Sequence, residues 1–425
     1  MPNIPDSPGK RRSLKILANA AIGAALVAKA PYVFAKQRTK LRILGTHVTL
    51  QEELRQKAMD DLGIDLVFEP KGSAAVLQKA SVSPGSFDLY EQWSNSIRPL
   101  WRSGSLQAID KNRLQYWDEI NLLTKTGKIS PEAEYGAGDA PYKILHVQAN
   151  GGLGEQHTEK LSFLPYVHNV DSFGYNTDVI PKGIAYETES WGWLLDPKHS
   201  GKVAIINAPT IGLFDLALAA QAQGLVTFAN IGSITKVELD ALFKILIELK
   251  QQNHFSGFWN SVPESVDFMR TKRVVIESMF SPAVSALNGQ GIPVTFAAPK
   301  EGYRGWHGVM CLSSATTGRV KDVAYEYMNW WLSGWPGAFI ARQGYYISNP
   351  QRSAKFLSQT EWDYWYEGKV ATQDLVGTDG KKIVNKGNMR TGGSYTKRFS
   401  NVAVWNTAMP TSDYSLQKWY EFISS

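Results

Sequence analysis

Histidine and cysteine side chains are the residues of this chain best suited to metal binding or nucleophilic catalysis. The chain has seven histidines and one cysteine, and the histidines form no His-Glu-x-x-His pair. There is no Cys-x-x-Cys pair, no Gly-x-Ser-x-Gly elbow and no phosphate-binding loop. Cys311 has apolar neighbours and is predicted to be a buried, inert thiol. These patterns argue against an enzyme, although an active site assembled from distant residues stays an alternative.

Polar and aromatic side chains follow two short apolar segments near the start of the chain. Residues 41–45 are predicted to form a strand that leads into Thr46. Residues 87–90 are predicted to form another, followed by Gln92, Trp93 and Ser94. In open parallel α/β sheets, ligands bind outside the carboxyl ends of the strands. We therefore expect these side chains to line a binding edge.

A strand, a helix and a second strand must position the first of these side chains. Thr49 and Glu52 form a Thr-x-x-Glu capping box, which predicts a helix over residues 50–62 that ends at Gly63. The β-rich segment at residues 64–68 is the next predicted strand. This order of elements is typical of parallel α/β folds.

A second series of strands and helices follows. Thr235 and Glu238 form another capping box, which predicts an amphipathic helix ending near residue 252. Residues 370–400 are rich in Gly, Lys and Thr and are predicted to form loops. The other strands of the series are predicted at residues 173–176, 202–206, 274–276, 293–297 and 306–312.

Residues 1–35 have the three-part order of an export signal. Basic residues 10–15 precede an apolar stretch at 16–28, and Val33-Phe34-Ala35 places small residues where signal peptidase cleaves. The paired Arg11 and Arg12 resemble a twin-arginine signal. We expect the signal peptide to pass through the twin-arginine translocase and to be removed in the periplasm. An amphipathic amino-terminal helix is the alternative.

The charge of the chain is concentrated in this leader. Residues 1–35 hold five basic residues and one acidic residue, a net charge of +4, so their removal takes the chain from +6 to +2. No Lys/Arg stripe follows, which argues against nucleic acid as a partner. The length of 425 residues suits two lobes, and aromatic residues, at 12%, can supply flat walls for a ligand cleft.

Several short segments between about residues 40 and 350 follow one another in a recognisable order. They are Phe87-Asp88-Leu89-Tyr90, residues 104–111 (GSLQAIDK), residues 173–177 (FGYNT), Ser190-Trp191, residues 195–198 (LDPK), residues 201–204 (GKVA), residues 299–302 (PKEG), Trp306, Gly344-Tyr345 and Asn349-Pro350. Their order resembles that of periplasmic binding proteins of the spermidine/putrescine type, the receptors of ABC importers.

The resemblance implies an α/β, two-lobed periplasmic binding protein fold of type II, with hinge strands between two Rossmann-like lobes. Lobe 1 is expected to hold residues 38–165 plus 306–348, and lobe 2 residues 166–305 plus 349–425. The implied function is that of the extracytoplasmic substrate-binding component of an ABC transporter. Such a monomer closes on a small-molecule ligand and delivers it to the transporter permease. No cofactor, metal or catalytic residue is predicted.

The resemblance also implies a set of ligand-binding residues between the lobes. Trp306 corresponds to an aromatic wall for an alkylamine chain, which cation–π attraction stabilises. The ligand-binding residues carried over or adjoining these positions are Thr46, His47, Gln92, Trp93, Ser94, Asp171, Asn207, Thr210, Glu277, Met279, Trp306, His307 and Tyr345.

Some acidic positions of the polyamine pocket are replaced in this chain. Asn207 and Ala208 stand where polyamine receptors have an acidic pair, and Gly308 stands where they have Asp. A buried ammonium group needs a carboxylate partner. Three acids near the expected cleft could substitute, namely Glu91, Asp171 and Glu277. The family resemblance makes polyamine or a related amine the default ligand.

Two other kinds of ligand stay open. His47, Arg304 and His307 would suit a polar or anionic solute. The adjacent Tyr345 and Tyr346 resemble the tyrosine pair of ferric-ion receptors, although their context fits the amine-type family better.

Overall fold

The computed structural model of the protein describes residues 38–425. The predicted signal peptide, residues 1–35, lies outside the described residues. Among the described helices, none has both the length and the apolar character that crossing a bilayer requires.

The first half of the structure is a parallel α/β unit. Strand β1 (Lys40–Gly45) lies between β2 (Asp65–Pro70) and β3 (Leu89–Trp93), and both neighbours run parallel to it. The helices of this region are α1 (Glu52–Leu62), α2 (Ser73–Val82), α3 (Ile97–Arg102) and α4 (Leu122–Thr126). The predicted strand, helix, strand order is thus confirmed.

The start of α1 differs from the prediction, whereas its end agrees. Gln51 is the N-cap residue, and no side chain caps the helix. The hydroxyl of Thr49 donates instead to the buried carboxylate of Glu91 at 2.7 Å. The Thr49–Glu52 capping box is therefore wrong, because a tertiary partner takes the hydroxyl. Gly63 ends the helix with φ 65°, a left-handed conformation that favours glycine.

Two long strands cross the centre of the molecule. β9 (Leu164–Asn176) and β14 (Tyr303–Ser313) are antiparallel neighbours, and every residue of both is buried. The sheet runs in the order β11 (Phe255–Trp259), β10 (Val203–Ile206), β12 (Ile276–Met279), β9, β14, β3, β1 and β2, so β9 and β14 lie between the strands of the two halves. Because the same two strands carry residues of each half, their register fixes which side chains meet at the centre.

The second half repeats the α/β pattern. β10 (Val203–Ile206) runs parallel to β11 (Phe255–Trp259) and to β12 (Ile276–Met279), while β13 (Val294–Phe296) pairs with β9. The predicted capping box of Thr235 and Glu238 is confirmed. The helices of this half are α5 (Pro209–Ala222), α6 (Lys236–Gln251), α7 (Val262–Arg270) and α8 (Ser281–Gly289), with a 3-10 helix at Trp191–Leu195.

The remaining elements connect the halves or form the tail. Two helices follow β14 and pack on the first half, α9 (Gly318–Leu332) and α10 (Trp335–Ala341), and the tail adds α11 (Pro350–Ser353), α12 (Gln359–Trp365), α13 (Tyr395–Phe399) and α14 (Ser412–Ser424). The short strands are β4 (Leu106–Gln107), β5 (Ile109–Asp110), β6 (His146–Val147), β7 (Leu153–Gly154), β8 (Lys160–Leu161), β15 (Tyr346–Ile347), β16 (Leu375–Val376), β17 (Lys382–Val384) and β18 (Val402–Trp405).

The tail packs on the crossing strands. β18 pairs with β14, and α14 packs against the core of the second half. A separate middle core joins the tail to β9, β14 and β15, and its large members are Tyr303, Tyr346, Trp365, Tyr395, Phe399 and Trp405. Loops at residues 370–400 were expected, but the hairpin β16–β17 and α13 lie there. The lobe boundaries at 38–165 plus 306–348 and 166–305 plus 349–425 stay predictions.

Candidate functional site

A narrow cleft lies where β1 and β3 end beside the crossing strands. Its free volume is about 10 Å³, room for about one water molecule. The side chains and backbone that line it belong to Thr46, Val48, Thr49, Glu91, Gln92, Trp93, Tyr166, Val167, Trp306 and Gly308. The structure thus brings together four of the predicted ligand-binding residues, namely Thr46, Gln92, Trp93 and Trp306.

Two tryptophans give the cleft aromatic walls. Gly308 of β14 lies opposite Trp93 of β3, so Trp306, two residues along the same face of β14, comes beside it. The ring of Trp306 meets the ring of Tyr345 edge to face at 5.5 Å. Trp93 packs both against the core of the first half and against the apolar cluster around Met279 in the second half. Both halves of the molecule therefore meet at these aromatic side chains.

Asp171 places a buried carboxyl group beside these rings. It lies on β9 opposite Arg304, whose Nη2 is 3.5 Å from Asp171 Oδ2. Burial raises the pKa of the Asp171 carboxyl to about 7, the Arg304 charge opposes that shift, and Trp306 is among the other groups that lower it. Asn169 Nδ2 lies 3.4 Å from Asp171 Oδ1 and also 3.4 Å from the hydroxyl of Ser281 in the second half. An acid near the Trp306 ring is what a cationic ligand requires.

The cleft also contains Tyr166 and Thr49, which were not predicted as ligand-binding residues, and Glu91, which was predicted only as a possible substitute acid. Tyr166 and Thr49 both donate hydrogen bonds to Glu91 Oε2, at 2.8 and 2.7 Å. Tyr166 lies where the register of β9 against β14 shifts, between the partners of Gly308 and Val309. Strand alternation in the sequence could not predict that this side chain faces the cleft. Glu91 did carry a sequence signal, since it lies at the same strand end as Gln92.

Three residues that were predicted to bind the ligand do not line the cleft, namely His47 and Ser94 of the first half and His307 of β14. His47 is exposed and does not line the cleft. Ser94 is buried and begins the turn after β3. His307 points to the opposite face of β14 from Trp306, because side chains alternate along a strand, and it lies between His168 and Trp405. Burial holds the pKa of His307 well below its usual value, so this ring offers no positive charge to an anion.

The predicted residues of the second half are also placed differently. Thr210 is exposed, and the Asn207 side chain bonds to Asn260 and Trp419. Glu277 is a fully buried residue of β12, and the hydroxyl of Ser265 donates to it at 2.8 Å. Met279 is buried in the apolar cluster that Trp93 touches. Of these four, Met279 alone is connected to the cleft, through Trp93.

The two adjacent tyrosines point to different surroundings. Tyr345 packs on Trp306, whereas the Tyr346 hydroxyl receives a hydrogen bond from Arg390 and donates to Trp365 in the middle core. Neighbouring strand residues face opposite sides, so these hydroxyls do not converge. Within residues 38–425, no group of three or more His, Cys, Asp or Glu side chains is arranged to hold a metal ion.

A family model of bacterial extracellular solute-binding proteins matches residues 60–354, more than half of the chain. This protein belongs to that family. It is thus a member of a class of binding proteins rather than of enzymes. No curated protein matches the sequence.

Solved structures share the fold of this solute-binding protein at low identity. PotD, a spermidine/putrescine ABC transporter substrate-binding protein from Streptococcus pneumoniae, is 15% identical, with a TM-score of 0.60 over 91% of this chain and 99% of that chain. AgtB from A. tumefaciens R10, in complex with agropinic acid, is 12% identical, with a TM-score of 0.56 over 91% and 99%. The Atu4243 GABA receptor is 14% identical, with a TM-score of 0.58 over 91% and 97%. The α/β periplasmic binding protein fold is therefore confirmed.

Proposed function

We propose that this protein captures a small amine between its two lobes and delivers it to the permease of an ABC importer. The observation that carries the proposal is the cleft that Trp93 and Trp306 line together. The buried carboxyl of Asp171, which faces Arg304, lies two residues along β9 from the strand partner of Trp306 and on the same face of the sheet. Two indole faces and a carboxyl in a site of low polarity suit a cation better than a neutral or anionic solute.

Binding and closure are coupled in this proposal. The cleft has room for about one water molecule, so a solute enters only when the lobes rotate apart about β9 and β14. Because the solute contacts both lobes only after closure, its binding free energy shifts the population toward the closed form. The permease then distinguishes loaded from unloaded receptor by shape.

The choice of an amine depends on which acid pairs with it. Asn207 and Gly308 offer no carboxylate where the resemblance to polyamine receptors implies one. Asp171 supplies a carboxyl from the hinge strand instead. Two solved relatives with this fold are a GABA receptor and a complex with agropinic acid, so the fold accommodates other solutes as well. A polar or anionic solute held by Arg304 is the alternative.

Export follows from the leader. Arg11 and Arg12, the apolar stretch at 16–28 and the small residues before position 36 support passage through the twin-arginine translocase and removal of the signal peptide. The protein is then a periplasmic monomer that meets its permease at the membrane surface.

A panel of candidate solutes tests this function. The mature chain is melted with putrescine, spermidine, amino acids, sugars and organic acids, and each solute that raises the melting temperature is titrated by calorimetry. X-ray scattering with and without that solute then measures closure. We expect an amine to bind and to reduce the radius of gyration. Binding by an organic acid alone would favour the alternative, and no binding by any member would contradict a receptor for these solutes.

A further inference from the structure

Glu91 is a buried acid in the wall of the cleft that lacks a charged partner. It is 0% exposed, and its Oε2 atom receives hydrogen bonds from the hydroxyls of Thr49 and Tyr166. Its Oε1 atom, also buried, has no hydrogen bond of ordinary geometry, although the buried Tyr327 hydroxyl is near enough to lower the pKa of the carboxyl. Among the ion pairs of residues 38–425, none includes Glu91. Oε1 is therefore an acceptor position that only the Tyr327 hydroxyl approaches.

The register of the strands connects Glu91 with the tryptophan walls. Gly308 of β14 lies opposite Trp93, and Met310 lies opposite Glu91, so Glu91 is one pleat deeper than Trp93 on the same face of the sheet. Glu91, Trp93, Trp306 and Gly308 all line the same cleft.

Gly308 lies between the Trp306 wall and the crossing strand β9. A Cβ atom at this position would lie 3.2 Å from Val167 O and 3.7 Å from the Trp306 ring, so the strands pack closely here and glycine is the residue that fits. A solute therefore reaches the level of Glu91 only after the lobes move apart, and it meets no side chain from position 308 on the way.

Burial without a cation makes Glu91 a receptor for positive charge. An isolated carboxylate in an apolar site is costly, and a hydrogen-bonded cation offsets that cost. The Tyr166 and Thr49 hydroxyls already orient Oε2, so the carboxyl is held in place before any ligand arrives. Preorganised charged hydrogen bonds of this kind are stronger than neutral ones.

We propose that Glu91 is the deep anchor of the cleft and receives an ammonium group of a solute that lies between the tryptophan walls. This inference rests on the proposed function and adds to it the residue that selects for an N–H donor. Asp171 lies at the other side of Trp306, so an amine with two cationic groups can be held by both acids, whereas a solute without an N–H donor leaves Glu91 unpaired.

The test compares Glu91→Gln with a matched control, Glu189→Gln. Glu189 is likewise a buried glutamate with hydrogen-bonded oxygens, but its partners are Tyr175 and the backbone of Ala298, away from the cleft. Putrescine and spermidine are titrated into each variant by calorimetry, and melting curves check that each is folded. We expect Glu91→Gln to weaken amine binding by roughly 10- to 100-fold, because a charged hydrogen bond becomes a neutral one. Glu189→Gln should bind as the unchanged protein does.

Tyr166→Phe gives a second measurement that leaves the acid in place. It removes one of the two hydroxyls that orient Glu91 Oε2, and it should weaken amine binding by less than Glu91→Gln does while the fold is retained. If Glu91→Gln does not fold, unchanged amine binding by Tyr166→Phe contradicts the anchor.

The possible outcomes separate the two proposals. If an amine binds and Glu91→Gln binds it equally well, the anchor is wrong and the receptor function stands. If only solutes without an N–H donor bind, the anchor is again wrong. If the unchanged protein binds no member of the whole solute panel, the proposed function is wrong, and the proposed role of Glu91 is wrong as well.

Discussion

Arg304 Nε donates to Asp215 Oδ1 at 2.7 Å, and neither side chain is more than 1% exposed. The arginine belongs to the crossing strand β14, and the aspartate belongs to α5 of the second half. Arg304 also lies 3.5 Å from Asp171 and 3.3 Å from the side-chain oxygen of Asn406 in the tail. One guanidinium thus connects a helix, both crossing strands and the tail at the centre of the molecule.

Removing Asp215 should be far more harmful than removing an acid at the surface. Asp215→Ala leaves Arg304 buried with its best partner lost, and we expect a loss of about 3–5 kcal/mol in the free energy of unfolding. The matched control is Glu326→Ala, which breaks the exposed pair of Arg319 and Glu326 and should cost less than about 1 kcal/mol. Urea denaturation measures both. Equal losses in the two variants would contradict this account of Arg304.

Trp306 should affect ligand binding more than stability when it is changed to Phe. Trp306→Phe keeps an aromatic ring against Tyr345 but reduces the face offered to a cation, so we expect roughly 3- to 10-fold weaker amine binding. The control is Trp362→Phe, since Trp362 stacks on Tyr366 at 4.3 Å in the tail. Calorimetry with putrescine or spermidine measures the change. The role of Trp306 as an aromatic wall would be wrong if both variants bound the amine equally.

The sequence predicted those parts of the site that follow from strand ends. Thr46, Gln92 and Trp93 were found because parallel strands of a sheet end at one edge, and Trp306 was found because a short family-like segment contains it. The order of strands and helices was predictable for a different reason, because hydrophobic periodicity is a local signal in the sequence.

Other parts depended on contacts between distant residues. Thr49 was assigned to a helix cap, but the acid it bonds, Glu91, is 42 residues away in sequence. His307 was expected in the cleft, and the alternation of β14 turns it to the middle core. Residues 370–400 were predicted as loops because they are rich in Gly, Lys and Thr. The helix and hairpin that lie there are ordered by burial of residues such as Leu375, Val384 and Tyr395 in the middle core rather than by local propensity.

The stability of Glu91→Gln relative to the unchanged protein should depend on pH. Burial raises the pKa of the Glu91 carboxyl to about 7, so the native state binds more protons than the unfolded state above the usual pKa of the acid. The contribution of Glu91 to the free energy of unfolding therefore falls as the pH rises toward 7. Each pH unit in that window contributes up to about 1.4 kcal/mol.

Urea denaturation at several values from pH 5 to pH 7 measures this effect. As the pH rises across this range, the free energy of unfolding of Glu91→Gln should increase steadily relative to that of the unchanged protein, because glutamine does not titrate. The histidines do not disturb the comparison, since His168, whose pKa burial lowers to about 3, is present in both proteins. A constant difference between the two curves would mean that Glu91 is not a buried acid in solution.

The hairpin of the tail offers a test of how the second lobe is held at the cleft. Its flanks meet, because Ala371 N donates to Asn388 O and Gly387 N donates to Ala371 O, each at 2.8 Å. Between these points, the hairpin packs on α8: Lys382 O would lie 2.9 Å from a Cβ atom at Gly289. The opposite end of α8 begins at Ser281, which lies near Asn169 beside the cleft.

Excision of residues 372–386, with Ala371 joined to Gly387, should leave the fold intact and loosen α8. The excision removes the buried side chains of Leu375 and Val384 from the middle core, so we expect the melting temperature to fall. Because the solute is held only in the closed form, we expect it to dissociate roughly tenfold faster, with a smaller change in the association rate. Stopped-flow tryptophan fluorescence measures both rates. The control shortens the exposed turn at 378–380 and keeps both strands, and it should leave dissociation unchanged. If excision also had no effect on dissociation, α8 would not need the hairpin to stay closed on its solute.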